Sequence, residues 1–584
     1  MSERVEALHI AGVRVRYPGR REPALDGVEL TVAAGEQVGV TGRTGAGKST
    51  LALVAGGFVP RVVRATLDGS VTVTGVDATD LTPDALLGRV GIVFATPANQ
   101  LSASKQTVRE ELAFGLENLG VPREEMDGRI DAVLDRLGIA HLAEREPFAL
   151  SGGEQQRVAI ASIVTMGTQV LVLDEPTAQL DPAGTADVAS LLDELAAGGT
   201  AILCVEHDPT VLGHLDRVLL LEGGQVVADG VPGSALGSAA RAPVGLPAPT
   251  LVLLAEAAGL DPAQAFDEPS IVSALRGLGG SLSAAGGAPR TNDAGVAPMA
   301  ASTTPWAEVR HRTPATLTME RLVHRYPNDV EAVRGVSLVF RPGEAVAILG
   351  QNGSGKTTLV KHANGLLRPA EGDVRIDGAS IAGRRVDELA ATVGFVFQSP
   401  DDQLFERSVE REVGFGPRNI GFDATITGRL VDVALGAVGL AGQRTTNPYD
   451  LDLSQRKLVA LASVLATDPA IVVLDEPTAG QDPDGVARVG EVIRALRDAG
   501  RTVIAITHDM EFAATSFDRI VVMRRGEVVA DGPPGAVLGG GNAELLASTG
   551  LTPPPAARIA RALGLPDGVA LDAPSLLAAL RSRG

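Results

Sequence analysis

The chain has 584 residues, with 51 Lys and Arg against 71 Asp and Glu, a net charge of −20 and a pI near 4.9. No Lys/Arg-rich run interrupts that acidity, which argues against nucleic acid as a partner, since a phosphate backbone is bound by clustered cations. Hydrophobic residues make up 45% of the chain, yet no apolar stretch approaches the roughly 18 to 20 residues that cross a bilayer, and MSERVEALHI is not expected to act as a secretory signal.

In chain order, a β-rich N-terminal run carries Arg16-Tyr17-Pro18. The ring of Tyr17 either stacks on a purine base or packs as an edge-strand aromatic. The apolar strand GEQVGVT then leads into GRTGAGKST, Gly42 to Thr50. In a strand–loop–helix context, Gly42, Gly45 and Gly47 let backbone N–H groups close around phosphates. Lys48 reaches the terminal phosphates, Ser49 ligates magnesium, and Ser49-Thr50 opens the helix. Next come VGIVFA, ending on Ala95, and LSGGEQQR, a phosphate-sensing signature with Ser151, Gly152 and Gly153. VLVLDEPTAQLD follows, in which Asp174 ends an apolar strand where it meets magnesium and Glu175 is placed to polarise an attacking water. The strand AILCV ends at Glu206 and His207. The single cysteine, Cys204, excludes an internal disulfide or cysteine cluster and reads as a small core residue.

Residues 277–314, rich in Gly, Ala, Ser and Pro, read as a linker with a reach of roughly 30 to 40 Å as a flexible coil. Then the series repeats. Tyr326 stands in a second R-Y-P. GQNGSGKTT supplies Gly350, Gly353, Gly355, Lys356, Thr357 and Thr358. VGFVFQ ends on Gln398, IVVLDEPTAGQD carries Asp475 and Glu476, and ITHD carries His508. The offset between copies is 308 at the phosphate loop and 301 at both the carboxylate and the histidine. Either histidine alone reads as structural, but a repeat 33 residues after each carboxylate favours a place beside the γ-phosphate. Matching GL and D-x-P-S segments, 305 residues apart near each end, extend the duplication into small helical tails. Short apolar strands alternating with helices predict an α/β fold with a mainly parallel sheet and ligands at strand ends. The expected division is 1–276, a linker at 277–314, and 315–584.

The phosphate loops, LSGGE, LDEPTA, the carboxylates Asp181 and Asp482 and the late histidines together resemble ATP-binding-cassette ATPases over nearly both copies. The resemblance implies two tandem phosphate-loop NTPase domains, each with an added antiparallel β portion and a helical signature subdomain. It implies binding of ATP and Mg2+, and head-to-tail cassettes in which one domain's phosphate loop faces the other's signature. The stretches from Val90 to Pro122 and Val393 to Gly421, each with P-x-x-Q-L, are similar to the paired ATPases of energy-coupling-factor importers. That implies a peripheral protein on the cytoplasmic face of the membrane, with a transmembrane scaffold subunit and a substrate-binding membrane subunit as partners. Vitamin, vitamin precursor and metal ion remain open as cargo. A soluble twin-cassette ATPase of ribosomes or nucleic acid and an exporter ATPase are the alternatives.

The copies differ at two functional positions. The family expects a glutamine after VGxVF, linking magnesium and water to the membrane partner; the second copy has Gln398 and the first Ala95. In place of LSGGEQQR the second copy has LDLSQRKL. Ser151 to Asp174 and Asp452 to Asp475 are both 23 residues, which sets Asp452 at the serine position and Ser454 at the second glycine. A two-residue shift would turn the following helix by roughly 200°. At about 4 Å and an effective dielectric near 20, Asp452 would repel a γ-phosphate charge by roughly 4 kcal/mol, unless the side chain turns to solvent. Under head-to-tail pairing both differences fall in the site built on Lys48. The site built on Lys356 keeps every expected group.

Overall fold

The computed structural model describes residues 5–78, 81–178, 180–278, 313–327 and 330–582. Most of the expected linker lies outside them. The chain divides into two compact units, residues 1–266 and 267–584.

The first unit contains strands β1 (Glu6–Arg16), β2 (Leu25–Ala33), β3 (Gln37–Gly42), β4 (Thr66–Val73), β5 (Val76–Asp77), β6 (Val90–Val93), β7 (Val170–Asp174), β8 (Ala201–Val205), β9 (Arg217–Glu222) and β10 (Gln225–Gly230). One sheet has the order β10-β9-β3-β8-β7-β6 and is parallel except for β10. The other is antiparallel, β2-β1-β4-β5. The second unit repeats this with β11 (Leu317–Arg325), β12 (Glu331–Phe340), β13 (Ala345–Leu349), β14 (Glu371–Ile376), β15 (Ala379–Ser380), β16 (Val393–Val396), β17 (Ile471–Asp475), β18 (Thr502–Ile506), β19 (Arg519–Arg524) and β20 (Glu527–Gly532). Its sheets run β16-β17-β18-β13-β19-β20 and β12-β11-β14-β15.

Strands covered on both faces need continuous apolar sequence, and VLVL in β7 and AILCV in β8 supply it. Cys204 lies fully buried in β8, between Gly39 of β3 and Leu173 of β7, and burial pushes its thiol well above the usual range. The alternating pattern of β1 turns Leu8, Ile10, Val13 and Val15 into a core shared with Val38, Leu51 and Val172. Each fully buried Val or Leu contributes about 1.5–3 kcal/mol. Each unit adds a helical subdomain, with helices Val108–Asn118, Arg123–Arg136 and Gly152–Thr165 in the first and Val409–Asn419, Ala424–Ala437 and Leu453–Leu465 in the second, the latter sharing a core with β17 and β18.

This topology sets the chemistry. Adjacent parallel strands β3, β8 and β7 deliver the phosphate loop, His207 and Asp174 to the carboxyl ends of the strands, and β13, β18 and β17 do the same for the second set.

The unit division falls at 266/267, ten residues before the boundary at 276 expected from the repeat. Helix Glu268–Leu278 accordingly groups with the second unit. There Glu268 forms an ion pair with Arg558, and Arg276 donates to the carbonyl of Ala562 at 2.6 Å. The same helix takes in Gly277 and Leu278, the first two residues of the expected linker.

Candidate functional site

The glycines of the two phosphate loops are dictated by space as well as by conformation. Gly47 and Gly355 have φ of 106° and 99°, and a Cβ there would lie 2.5 Å from the carbonyl of Ala24 or 2.1 Å from that of Ala332. Gly42 and Gly350 are equally closed in by Leu221 and Met523, whereas Gly45 and Gly353 have open space around them. The loops curl over their own lysines. Lys48 Nζ donates to the carbonyls of Gly42 and Arg43 at 3.0 and 2.9 Å, and Lys356 Nζ to those of Gly350 and Gln351 at 2.6 and 2.9 Å. Each following helix begins at the lysine itself, one residue before the expected start, so its free N–H groups and positive dipole end face the loop.

Ser49 Oγ donates to Asp174, and Thr357 Oγ1 to Asp475, both at 3.3 Å. Burial, and then the neighbouring Glu175 or Glu476, pushes each aspartate up to about 6. A hydroxyl and a buried carboxylate at such spacing form a hard-oxygen pair suited to a small divalent cation, whose charge would restore the ionised form.

The two glutamates adopt left-handed backbone, with φ of 51° at Glu175 and 50° at Glu476. Their N–H groups donate to Val205 and Ile506 at 2.9 and 3.0 Å. His508 Nδ1 lies 3.0 Å from Glu476, and His207 Nε2 lies 3.4 Å from Glu175. Burial opposes charge on both members of the second pair, but their mutual attraction wins: Glu476 is held below the usual range and His508 above it. Within the second pair each side chain thus favours the charged form of the other.

Tyr17 and Tyr326 hydrogen-bond through their hydroxyls to Thr50 and Thr358, at 3.2 and 3.0 Å, so each ring is anchored to its phosphate-loop helix. Tyr326 is 38% exposed, and His324 meets it edge to face. Tyr449, the third tyrosine, is exposed and donates from its hydroxyl to the carbonyl of Leu404.

The signature register is settled by helix capping. Ser151 is the N-cap of Gly152–Thr165, in a capping box with Glu154, and Asp452 is the N-cap of Leu453–Leu465, accepting from Gln455 N at 2.8 Å. Asp452 thus occupies the serine position, and its carboxylate bends back onto its own helix. Ser454 is buried against Gln481 at 2.5 Å, whereas Gly152 and Gly153 leave the first signature without side chains there. Asp181 and Asp482 likewise cap helices, through Gly184 N and Gly485 N.

Gln398 is exposed at the end of β16, and Ala95 is half-buried at the end of β6. The glutamines of P-x-x-Q-L turn inward. Gln100 bridges Phe94 N and the carbonyl of Ile92, while Gln403 contacts Phe397 N, the carbonyl of Ala460 and Ser463. They brace the loop that carries position 95 or 398.

Two residues escaped the reading of the motifs. Glu206, next to His207, accepts from Thr177 Oγ1 at 2.6 Å and from the N–H groups of His207 and Asp208 at 2.7 and 3.1 Å. Its counterpart, Thr507, accepts from Asp509 N at 3.1 Å. Lys457 donates to the carbonyl of Glu476 at 3.2 Å. The contrasts VEHD/ITHD and EQQR/QRKL were the available signals.

The model of the ABC transporter family matches residues 25–178 and 333–479. A candidate ABC transporter ATP-binding protein of Methanosarcina acetivorans is 38% identical over 564 residues, covering 95% of this chain and 90% of its own. Another, of Streptomyces avermitilis, is 37% identical over 543 residues, covering 90% of this chain and 94% of its own. Among solved structures, cbiO1 from Clostridium perfringens, described as part of the ABC transporter complex cbiONQ, is 35% identical and covers 40% of this chain and 93% of its own, with a TM-score of 0.37. With the family matched once in each unit and relatives aligned along nearly their whole length, the chain belongs to the ABC transporter family as an ATP-binding and ATP-hydrolysing protein with two tandem domains.

Proposed function

We propose that this chain is the ATPase subunit of an importer of the energy-coupling-factor type and that its two ATP sites divide the labour. Hydrolysis belongs to the site built on Lys356, Thr357, Gln398, Asp475, Glu476 and His508, completed by Ser151, Gly152 and Gly153. The site built on Lys48, Ser49, Ala95, Asp174, Glu175 and His207, completed by Asp452 and Ser454, binds ATP mainly to hold the domains closed. The domain division in this reading is 1–276, linker and 315–584.

The observation that carries the asymmetry is the Glu476–His508 contact at 3.0 Å, against 3.4 Å for Glu175–His207. Glu476, held below the usual carboxylate range by His508, accepts the proton of the attacking water, and His508 offers a hydrogen bond toward the phosphoryl oxygens. Lys356 and the helix N-terminus neutralise developing charge. Mg2+ held by Thr357, Asp475 and Gln398, or by Ser49 and Asp174 in the other site, would neutralise the terminal phosphates. Tyr17 and Tyr326 stack on adenine.

No helix among the described residues is long and apolar enough to cross a membrane, so transport requires membrane partners: a scaffold subunit and a substrate-binding subunit. The paired P-x-x-Q-L stretches support the importer type and a position on the cytoplasmic face. The cargo class is a vitamin, a vitamin precursor or a metal ion.

The test is ATPase turnover of Glu476→Gln and Glu175→Gln with the partners present. Glu476→Gln should lower turnover by about a hundredfold or more, and Glu175→Gln by only a few fold. Equal losses reject the asymmetry, and recovery of no membrane protein on detergent purification rejects the transport reading.

A further inference from the structure

A non-glycine residue keeps left-handed backbone only where its surroundings fix it, and both Glu175 and Glu476 meet that condition with shared bonds. Each N–H donates to the neighbouring strand, and each carbonyl accepts from the amide three residues on, Ala178 N at 3.3 Å and Ala479 N at 3.4 Å. The second unit adds a bond that the first lacks. Lys457, from helix Leu453–Leu465, donates from Nζ to the Glu476 carbonyl at 3.2 Å. Five residues past the N-cap in the first unit stands Gln156, which is 2% exposed and whose Nε2 has no hydrogen-bond partner among the described residues.

The bond fixes the peptide that follows the Glu476 side chain. A carboxylate that activates water works only when aimed, because phosphoryl transfer draws its rate from positioning and electrostatics.

We propose that Lys457 is a positioning residue for hydrolysis, clamping the Glu476 peptide in its left-handed turn so that the carboxylate stays aimed at the water. This rests on the assignment of hydrolysis to Glu476. The counterpart Gln156 makes no such clamp, which adds to the inequality of the two sites. Because Lys457 stands on the helix headed by Asp452, that helix is tied to the hydrolytic carboxylate of its own unit.

The experiment measures ATPase kinetics and thermal stability of the full chain with its membrane partners, for Lys457→Gln, Lys457→Arg and Glu476→Gln. Lys457→Gln, which installs the first unit's residue, should lower kcat by about tenfold while KM for ATP stays within about twofold; Lys457→Arg should restore most of the rate, since its donor is kept. Unchanged kcat in Lys457→Gln overturns the proposal. So does a loss that Lys457→Arg fails to rescue, or one accompanied by a raised KM and a lowered Tm, which marks a structural role only. The control separates the two readings. If Glu476→Gln keeps its turnover, the assignment of hydrolysis to Glu476 fails; if Glu476→Gln is inert and Lys457→Gln is normal, only the Lys457 clamp fails.

Discussion

Glu206 is a buried carboxyl whose three donors, one hydroxyl and two backbone N–H groups, tie the loop after Glu175 to the turn at His207. Burial dominates its titration and pushes it up to about 7 from a usual value of 4.5. The folded state therefore holds the proton more tightly than the unfolded chain. Stability from this group is fully present below about pH 4.5 and is lost as pH rises through 7, by on the order of 3 kcal/mol. Glutamine cannot ionise, and its Oε1 can accept both N–H groups while Nε2 donates to Thr177. The Tm of Glu206→Gln minus that of wild type should consequently rise between pH 5 and pH 8; a flat difference removes Glu206 as the cause. The contrast between VEHD and ITHD was legible in the sequence, but convergence of three donors on one carboxylate depends on a loop 29 residues away in the chain and was not.

At the scale of elements, the signature helices show where spacing succeeds and where it stops. The 23-residue interval set Asp452 opposite Ser151, and both prove to be N-caps. What spacing could not give is the direction of the carboxylate, because an N-cap side chain chooses between solvent, a ligand and its own helix by local geometry. Asp452 takes its own helix. Asp452→Ala should thus lower stability by about 1 kcal/mol, and Asp452→Ser by only a few tenths, since serine caps as well as aspartate. Urea denaturation measures the difference, and equal effects of the two substitutions would show that the cap is not what holds this helix end. In the phosphate loops Gly47 and Gly355 are required both by their positive φ and by a carbonyl 2.5 Å and 2.1 Å from the missing Cβ, and that requirement shows in the sequence as a glycine at the same place in each copy. A conservative Gly355→Ala should abolish ATP binding at that loop, whereas Gly353→Ala, with open space around it, should cost only the backbone strain of about 1 kcal/mol. Titration with a fluorescent ATP analogue separates them, and equal losses would contradict the steric account.

For the whole molecule, duplication made the two-unit α/β architecture legible, since each motif was seen twice in the same order. The place of helix Glu268–Leu278 was not legible. An apolar stripe such as Ile271 and Leu275 says that a face will be buried, not against which surface. The same duplication offers the strongest test of divided labour, because each copy supplies the residues that the other lacks. On the proposed head-to-tail pairing, Ala95→Gln together with Asp452→Ser, Leu453→Gly and Ser454→Gly gives the first site the glutamine and the signature residues of the second. These changes leave Lys356, Asp475 and Glu476 untouched. Introduced into a Glu476→Gln background that no longer turns over, they should restore about a tenth or more of wild-type ATPase, carried now by Glu175. Adding Glu175→Gln should abolish it again. If the four changes restore nothing although the protein still binds ATP with two sites per chain, the inequality lies elsewhere, and the Gln156/Lys457 position is the next to exchange.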